Sequence, residues 1–146
     1  MEENKYTTVG LGDFKKYMKE LVKYCAGKKT MMPILKCVAI SLTKDDQVMV
    51  ATDLEKYKKL EVKANVVEDV KFCVPAKTLY DLLNTLTDKT IILSVVEGDM
   101  LDCAFRETSY KFEGLMIASE SDDNITILKG FPIDEFPMNP RIEEEE

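Results

Sequence analysis

Two segments of the chain carry apolar residues at helical spacing, and a short β-type segment precedes each of them. In the first, Phe14–Cys25, apolar side chains recur every three or four residues, and Gly27 follows as a stop. Asp13 is a candidate cap for this helix. The second helical segment starts at Pro75, a residue that suits a first helical turn. The apolar face of that second helix consists of Leu79, Leu82, Leu83 and Leu86.

Segments rich in β-branched or alternating apolar residues surround the first helix. They are typical of strands, in which successive side chains point to opposite faces. The sequence predicts strands over Lys5–Leu11, Leu35–Thr43, Gln47–Thr52 and Lys58–Val66, with a Gly10–Gly12 turn before the helix. The first unit is therefore a strand, a helix and three further strands.

A second unit repeats this order. Strands are predicted over Val70–Val74, Thr90–Val96, Met100–Arg106 and Ser109–Ile117, with a turn at Glu97-Gly98-Asp99. The duplication lies in the order of elements, with little sequence identity behind it. We predict an α+β domain over residues 1–118, in which two β-α-β-β-β halves (about 1–67 and 68–118) place two helices on antiparallel sheets.

Acidic residues are concentrated at the C-terminal end of the chain. The formal net charge is −7, and residues 119–146, with nine acidic and two basic side chains, carry all of it. A closing segment over 119–137 contains a candidate strand, Ile125–Leu128, and the aromatic-proline run Phe131–Pro137. Residues 138–146 form an acidic tail that we expect to be disordered.

Residue types that commonly carry catalysis or bind metals are scarce. The chain has no histidine, which removes the commonest general base. Its four cysteines, at positions 25, 37, 73 and 103, lack C-x-x-C spacing, so reduced and mostly buried thiols are favoured over a zinc site. Asp53 and Glu55 could pair for metal or acid–base chemistry, but a turn-forming role for Asp53 is favoured because no third ligand is recognisable nearby. We expect no enzymatic activity, no metal and no cofactor.

Targeting and membrane signals are not visible in the sequence. Met1 is followed by two glutamates, and no apolar run approaches the length of a membrane-spanning helix. We therefore expect a cytoplasmic protein without a membrane partner.

Lysines form a stripe on the first predicted helix. At about 100° per residue, Lys15, Lys19 and Lys23 lie close together, Lys16 borders them, and the apolar residues lie on the far side. Such a stripe is commonly a solvated helix face, and its functional interpretation is a contact surface for a phosphate backbone. The chain has only two arginines, and lysine suits sequence-independent phosphate contact, whereas base reading favours arginine.

Taken together, these motifs resemble the first domain of the bacterial DNA polymerase III beta subunit, the sliding clamp. The resemblance covers Tyr6 to about Lys111 and a later closing motif. It is carried by the lysine helix, Gly27–Leu35, Ala51–Glu55 (A-T-D-L-E), Val74–Leu83, Glu97–Asp99, Ser109–Phe112 and Phe131–Pro137.

This resemblance implies a DNA clamp fold, in which helices line a ring around duplex DNA and sheets form the outside. It implies a processivity factor that tethers a polymerase and does no chemistry itself. The implied partners are duplex DNA, bound without sequence preference, a replicative polymerase or clamp-loading proteins in the assembled state, and further copies of the chain. The residues that would face the DNA are Lys15, Lys16, Lys19, Lys23, Lys28, Lys29 and Lys77.

Two departures from the family pattern leave an alternative open. Residues 117–130 resemble an insertion before the closing segment, and the chain ends after one domain where the family has three. The alternative is a stand-alone protein-interaction module that keeps the clamp fold and binds a replication protein or a clamp without encircling DNA. It would use a sheet edge or Phe131–Pro137, and the acidic tail favours it because that tail would repel a duplex.

Overall fold

The computed structural model describes residues 6–27, 32–87, 89–101, 109–119 and 125–137, and for residues 97–101 and 109–112 it describes the backbone alone. The first half of the chain forms β1 (Thr7–Gly10), α1 (Leu11–Leu21), 3-10 turns at Val22–Tyr24 and Pro33–Lys36, β2 (Cys37–Leu42), β3 (Gln47–Thr52), β4 (Tyr57–Glu61) and β5 (Ala64–Asn65). The second half forms β6 (Val70–Pro75), α2 (Ala76–Leu83), β7 (Thr90–Leu101), β8 (Ser109–Ser119), β9 (Ile125–Lys129), β10 (Phe131–Pro132) and a 3-10 turn at Ile133–Glu135.

The strands of the described residues form two five-stranded antiparallel sheets, and each sheet combines strands from both halves. The first sheet has the order β5-β1-β7-β8-β9 and the second has the order β10-β6-β2-β3-β4. Gly10 at the end of β1 lies opposite Thr90, and Pro75 at the end of β6 lies opposite Cys37. The predicted α+β fold is confirmed, and the two halves are related by an exchange of their first strands.

The prediction of one continuous strand over Lys58–Val66 is wrong. The chain leaves the second sheet after Glu61, and Ala64 and Asn65 pair with β1 in the first sheet. Leu60, Val62 and Ala64 all pack on the main core, so the alternation of polar and apolar residues continues across the change of sheet. Alternation of polar and apolar residues shows which side of a strand is buried, but it does not show which other strand pairs with it.

The strands after α2 also differ from the prediction. The expected turn at Glu97-Gly98-Asp99 does not form, because β7 runs through it and Gly98 lies opposite Phe112 of β8. The stretch predicted as Met100–Arg106 therefore belongs to β7 as far as Leu101, and its remainder lies outside the described residues. The third strand of the second half is β9, which pairs with β8 inside the stretch that resembled an insertion.

α1 begins earlier than the sequence predicts. β1 runs directly into it without the expected turn, with Gly10 at the N-cap position. The Leu11 N–H donates to the Lys89 carbonyl at 2.8 Å, which satisfies one of the unpaired donors of the first turn. Asp13 is not the cap but lies in the first turn, where its charge is favourable near the positive end of the helix dipole. α2 starts directly after Pro75, as predicted.

The main hydrophobic core lies between the two helices and the two sheets. Phe14, Met18 and Leu21 of α1 are buried in it, as are Leu79 and Leu83 of α2. Full burial of side chains of this size contributes about 1.5–3 kcal/mol each. One face of each helix is therefore fixed on the sheets, and its opposite face points outward. No helix among the described residues is long and apolar enough to cross a membrane.

A second, smaller cluster covers the other face of the second sheet. It includes Cys37, Val50 and Cys73 from the sheet and Phe136 from the closing segment. Burial on both faces accounts for the almost continuous apolar sequence of β2 and β6. Gly130 permits the closing segment to lie here, because a Cβ at this position would be 1.8 Å from the Cys73 carbonyl oxygen.

Candidate nucleic-acid interface

α1 and α2 lie side by side and contact each other on the same side of the molecule. Their buried residues point to the sheets, so the outward helix faces form a common surface. This surface contains the lysines that were predicted on the first helix and the one predicted on the second. We call it the helix face.

The lysines of α1 follow the predicted phase. Lys16, Lys19 and Lys23 are exposed and Lys15 is half-buried, opposite the core side of the helix. Lys23 lies in the 3-10 turn that continues α1, and its ammonium is 3.7 Å from the Glu20 carboxylate. The Lys23 side chain is 66% exposed, so the pair leaves the lysine accessible to an outside anion.

The other predicted lysines, Lys77, Lys28 and Lys29, do not lie on α1. Lys77 is exposed on α2, and its ammonium lies 3.9 Å from the Asp81 carboxylate one turn away. This pair is more exposed than the Lys23–Glu20 pair, so Lys77 also remains accessible to an anion. α2 contributes less positive charge to the helix face than α1 because it carries a single lysine. Lys28 and Lys29 lie outside the described residues.

The A-T-D-L-E segment forms the turn between β3 and β4. Asp53 Oδ1 accepts the backbone N–H of Glu55 at 2.9 Å and that of Lys56 at 2.6 Å. Thr52 Oγ1 accepts the N–H of Leu54 at 2.9 Å, and Leu54 adopts a φ of 78°. The backbone-bonding role predicted for Asp53 is confirmed, and its carboxylate is already engaged within the turn.

This turn lies against the end of α1. The Lys56 ammonium donates to the Lys23 carbonyl at 3.2 Å, next to the helix C-terminus, and is 4.0 Å from Asp53. The ammonium groups of Lys56 and Lys58 each lie 5.9 Å from the centroid of the Tyr24 ring. We call Tyr24, Lys56 and Lys58 the helix-end cluster. The sequence did not predict this cluster, although the alternation of β4 places Lys58 and Leu60 on one side of that strand.

The thiols of this region are poor nucleophiles. Cys25 lines a cavity of about 330 Å³ between the end of α1 and the start of α2. Burial has the largest effect on the Cys25 thiol, and the nearby Cys37 and Asp53 add electrostatic repulsion; together they raise its pKa to about 12. Burial likewise raises the pKa of Cys37 to about 11 and, together with Cys37 and Glu135, that of Cys73 to about 12. A thiol that stays protonated at neutral pH reacts slowly.

The closing segment is part of the fold and not a free binding motif. Phe131 and Pro132 pair with β6, and the Phe136 side chain is 5% exposed in the second cluster. The alternative in which Phe131–Pro137 captures a partner would require this packing to open.

The arrangement as a whole defines the DNA clamp fold: two strand-helix-three-strand halves, helices on one side and sheets on the other. Residues 14–140 match the family model described as DNA polymerase III beta subunit, N-terminal domain. The chain therefore belongs to the family of that domain.

Solved structures of sliding clamps resemble the chain over almost its whole length. The DNA polymerase III beta subunit of Thermotoga maritima is 27% identical, with a TM-score of 0.72 over 96% of this chain and 33% of that one. The beta subunit of Streptococcus pyogenes is 15% identical, with a TM-score of 0.70 over 96% and 33%. The Helicobacter pylori beta clamp, solved with a DNA ligase peptide, is 20% identical, with a TM-score of 0.67 over 93% and 33%.

The chain thus spans about a third of the length of these clamps. A comparison with curated protein sequences finds no match.

Proposed function

We propose that this chain is a DNA-contacting domain of a sliding clamp, which keeps a polymerase on duplex DNA without catalysing a reaction. The observation that carries the proposal is the outward lysine face of α1, presented by a member of the beta-subunit family. Lysine ammonium groups neutralise phosphates without reading bases, which is what a protein that slides along any sequence requires.

The proposed domain extends further than residue 118. β9 completes the first sheet and β10 lies at the edge of the second, so we place the closing segment to residue 137 inside the clamp domain. The family match, which reaches residue 140, supports this boundary. Processivity needs an assembled ring, so we also propose that the domain works as part of a larger oligomer, in the cytoplasm where bacterial DNA is replicated.

A charge-reversal experiment tests the DNA contact. Changing Lys15, Lys19 and Lys23 to Glu should weaken binding to a short duplex and flatten its dependence on salt. The slope of log K against log salt should fall by about 0.9 for each phosphate that the variant no longer neutralises. Fluorescence anisotropy over a salt series measures both quantities.

A matched triple variant supplies the control. Lys44, Lys59 and Lys71 are exposed away from the helix face, and their change to Glu alters the net charge by the same amount. If both triple variants weaken binding equally, the helix face has no special role and the proposed function is wrong. Unchanged circular dichroism spectra would establish that both variants are folded.

The protein-interaction alternative retains one supporting observation. β9 lies at an edge of the first sheet, and its Ile125 and Ile127 side chains are 63% and 45% exposed. Exposed apolar residues on an edge strand are typical of a strand that pairs with another chain. A clamp that assembles and a module that binds a protein would both use such an edge, and DNA binding separates the two.

A further inference from the structure

We propose that the DNA-contacting surface continues from the helix face onto strand β4, where Lys58 of the helix-end cluster supplies an additional phosphate contact. This inference rests on the proposed function and adds a residue to its binding surface. It starts from the position of Lys58 beside the end of α1, which neither the resemblance nor the helical pattern indicated.

The side of β4 that carries Lys58 is the helix side of the sheet. Leu60, two residues further along the strand, packs on the main core beneath the helices. Tyr57, which points the opposite way, packs on the second cluster on the other face of the sheet. Because alternate residues share a face, Lys58 lies on the same side as α1, and Lys59 lies on the far side.

The three lysines at the end of α1 differ in how far neighbouring carbonyl and carboxylate groups offset their positive charge. Lys56 donates to the Lys23 carbonyl and lies near Asp53, so it is used to hold the turn against the helix end. Lys23 is near Glu20. Lys58 lies over the Tyr24 ring, and among the described residues no carboxylate lies within ion-pair distance of it.

An aromatic ring holds an ammonium group without cancelling its charge. A cation–π contact at an exposed site is weak but sufficient to favour one position of the lysine. A carboxylate partner would instead offset the charge that a phosphate needs. The Tyr24 ring therefore orients the half-buried Lys58 without offsetting its charge.

The helix dipole makes this position significant. The C-terminal end of a helix carries a partial negative charge, which disfavours a nearby phosphate. Lys56, bonded to the Lys23 carbonyl, and Lys23 itself offset that charge at the end of α1. With the helix end neutralised, Lys58 can extend the positive surface beyond it. A duplex carries one charge per about 1.7 Å of axis, so phosphates are dense enough for an additional cation at this position to contact one that the α1 lysines do not.

Two single substitutions on one strand test the inference. Lys58→Gln removes a charge from the helix side of β4, and Lys59→Gln removes the same charge from the opposite side. One phosphate contact changes the slope of log K against log salt by about 0.9, which corresponds to roughly eightfold in affinity at about 0.1 M salt. We expect a decrease of that size for Lys58→Gln and a much smaller one for Lys59→Gln.

The outcomes separate this inference from the proposed function. If the α1 charge reversal weakens duplex binding but Lys58→Gln behaves like Lys59→Gln, the extension onto β4 is wrong and the clamp assignment stands. If neither the α1 variant nor Lys58→Gln changes the salt slope, both are wrong. Equal melting temperatures of the two glutamine variants would exclude unfolding as the cause of a difference.

Discussion

At the scale of single residues, the β3–β4 turn connects the A-T-D-L-E motif to the lysine-bearing helix α1. Burial would raise the pKa of Asp53, but the N–H groups of Lys56 and Glu55, with the Lys56 ammonium, outweigh it and lower that pKa below its usual value. The carboxylate is therefore bound more tightly in its ionised form. Through Lys56 the same turn reaches the end of α1.

Replacing Asp53 by Ala should lower the free energy of unfolding by about 1–2 kcal/mol at pH 7, because two backbone N–H groups lose a charged acceptor. Asn keeps an acceptor oxygen, so Asp53→Asn should cost less. Urea denaturation measures both changes.

The pH dependence of the free energy of unfolding provides a second test of Asp53. A lowered pKa in the folded state stabilises the protein above the usual Asp pKa, and this contribution is lost as the pH falls through the lowered value. The stability gap between wild type and Asp53→Asn should therefore close below about pH 4. A gap that stays constant from pH 6 to pH 3 would contradict the lowered pKa.

Residue positions on α1 could be predicted because a helix has a fixed angular period, and the buried side determines the exposed one. Lys58 could not be found in this way. The alternation of β4 divides its side chains into two sets, but only the packing of Leu60 on the main core identifies which set lies beside α1. Tyr24, three residues past the end of α1, carried no signal of its own.

At the scale of elements, the outer strands β4 and β9 differ in chemistry although they occupy equivalent places in the two halves. β4 carries lysines at positions 58 and 59, and charged side chains discourage a second strand from pairing. β9 exposes Ile125 and Ile127, and Ile127 lies over Gly114 of the neighbouring strand. We expect β9 to be the edge at which the domain assembles with another chain.

Ile127→Lys should therefore shift the chain toward the monomer while changing the unfolding free energy by less than about 1 kcal/mol. Sedimentation velocity over a range of protein concentrations measures the shift. Tyr6, which is 46% exposed and precedes β1, offers the matched variant Tyr6→Lys. Equal behaviour of the two variants would mean that β9 is not the assembly edge.

Element boundaries were predictable where a strong breaker or a capping position fixes them, as at Pro75 before α2. They were not predictable where a local turn signal competes with long strand pairing. Glu97-Gly98-Asp99 has typical turn composition, but the ladder between β7 and β8 continues on both sides of it and overrides that local preference. The short β5 could not be predicted either, because the alternation of polar and apolar residues does not reveal that Ala64 and Asn65 pair with β1.

At the scale of the whole molecule, the exchange of β1 and β6 makes each half incomplete. The first sheet needs β1 from the first half, and the second sheet needs β6 from the second half. A chain cut between Val66 and Val67 should therefore give two fragments that are each unfolded alone. Mixed in equal amounts, they should recover a cooperative melting transition, measured by circular dichroism.

A cut that preserves both sheets is the control for this experiment. Cleavage after Pro137 removes only residues outside the described ranges and should leave the melting transition in place. If the first-half fragment melted cooperatively by itself, its sheet would not require β6 from the second half, and the interdependence of the two halves would be wrong.

The strand exchange also determines when, during synthesis, α1 can pack on a complete hydrophobic core. β1 and α1 leave the ribosome before the rest of this domain, but β1 pairs with β7, which begins only at Thr90. Contacts between such distant segments form slowly, because a long loop must close before they stabilise anything. The core beneath α1 is therefore incomplete until β7 has been synthesised, and we expect the yield of folded domain to depend on how well the nascent chain is shielded during that interval.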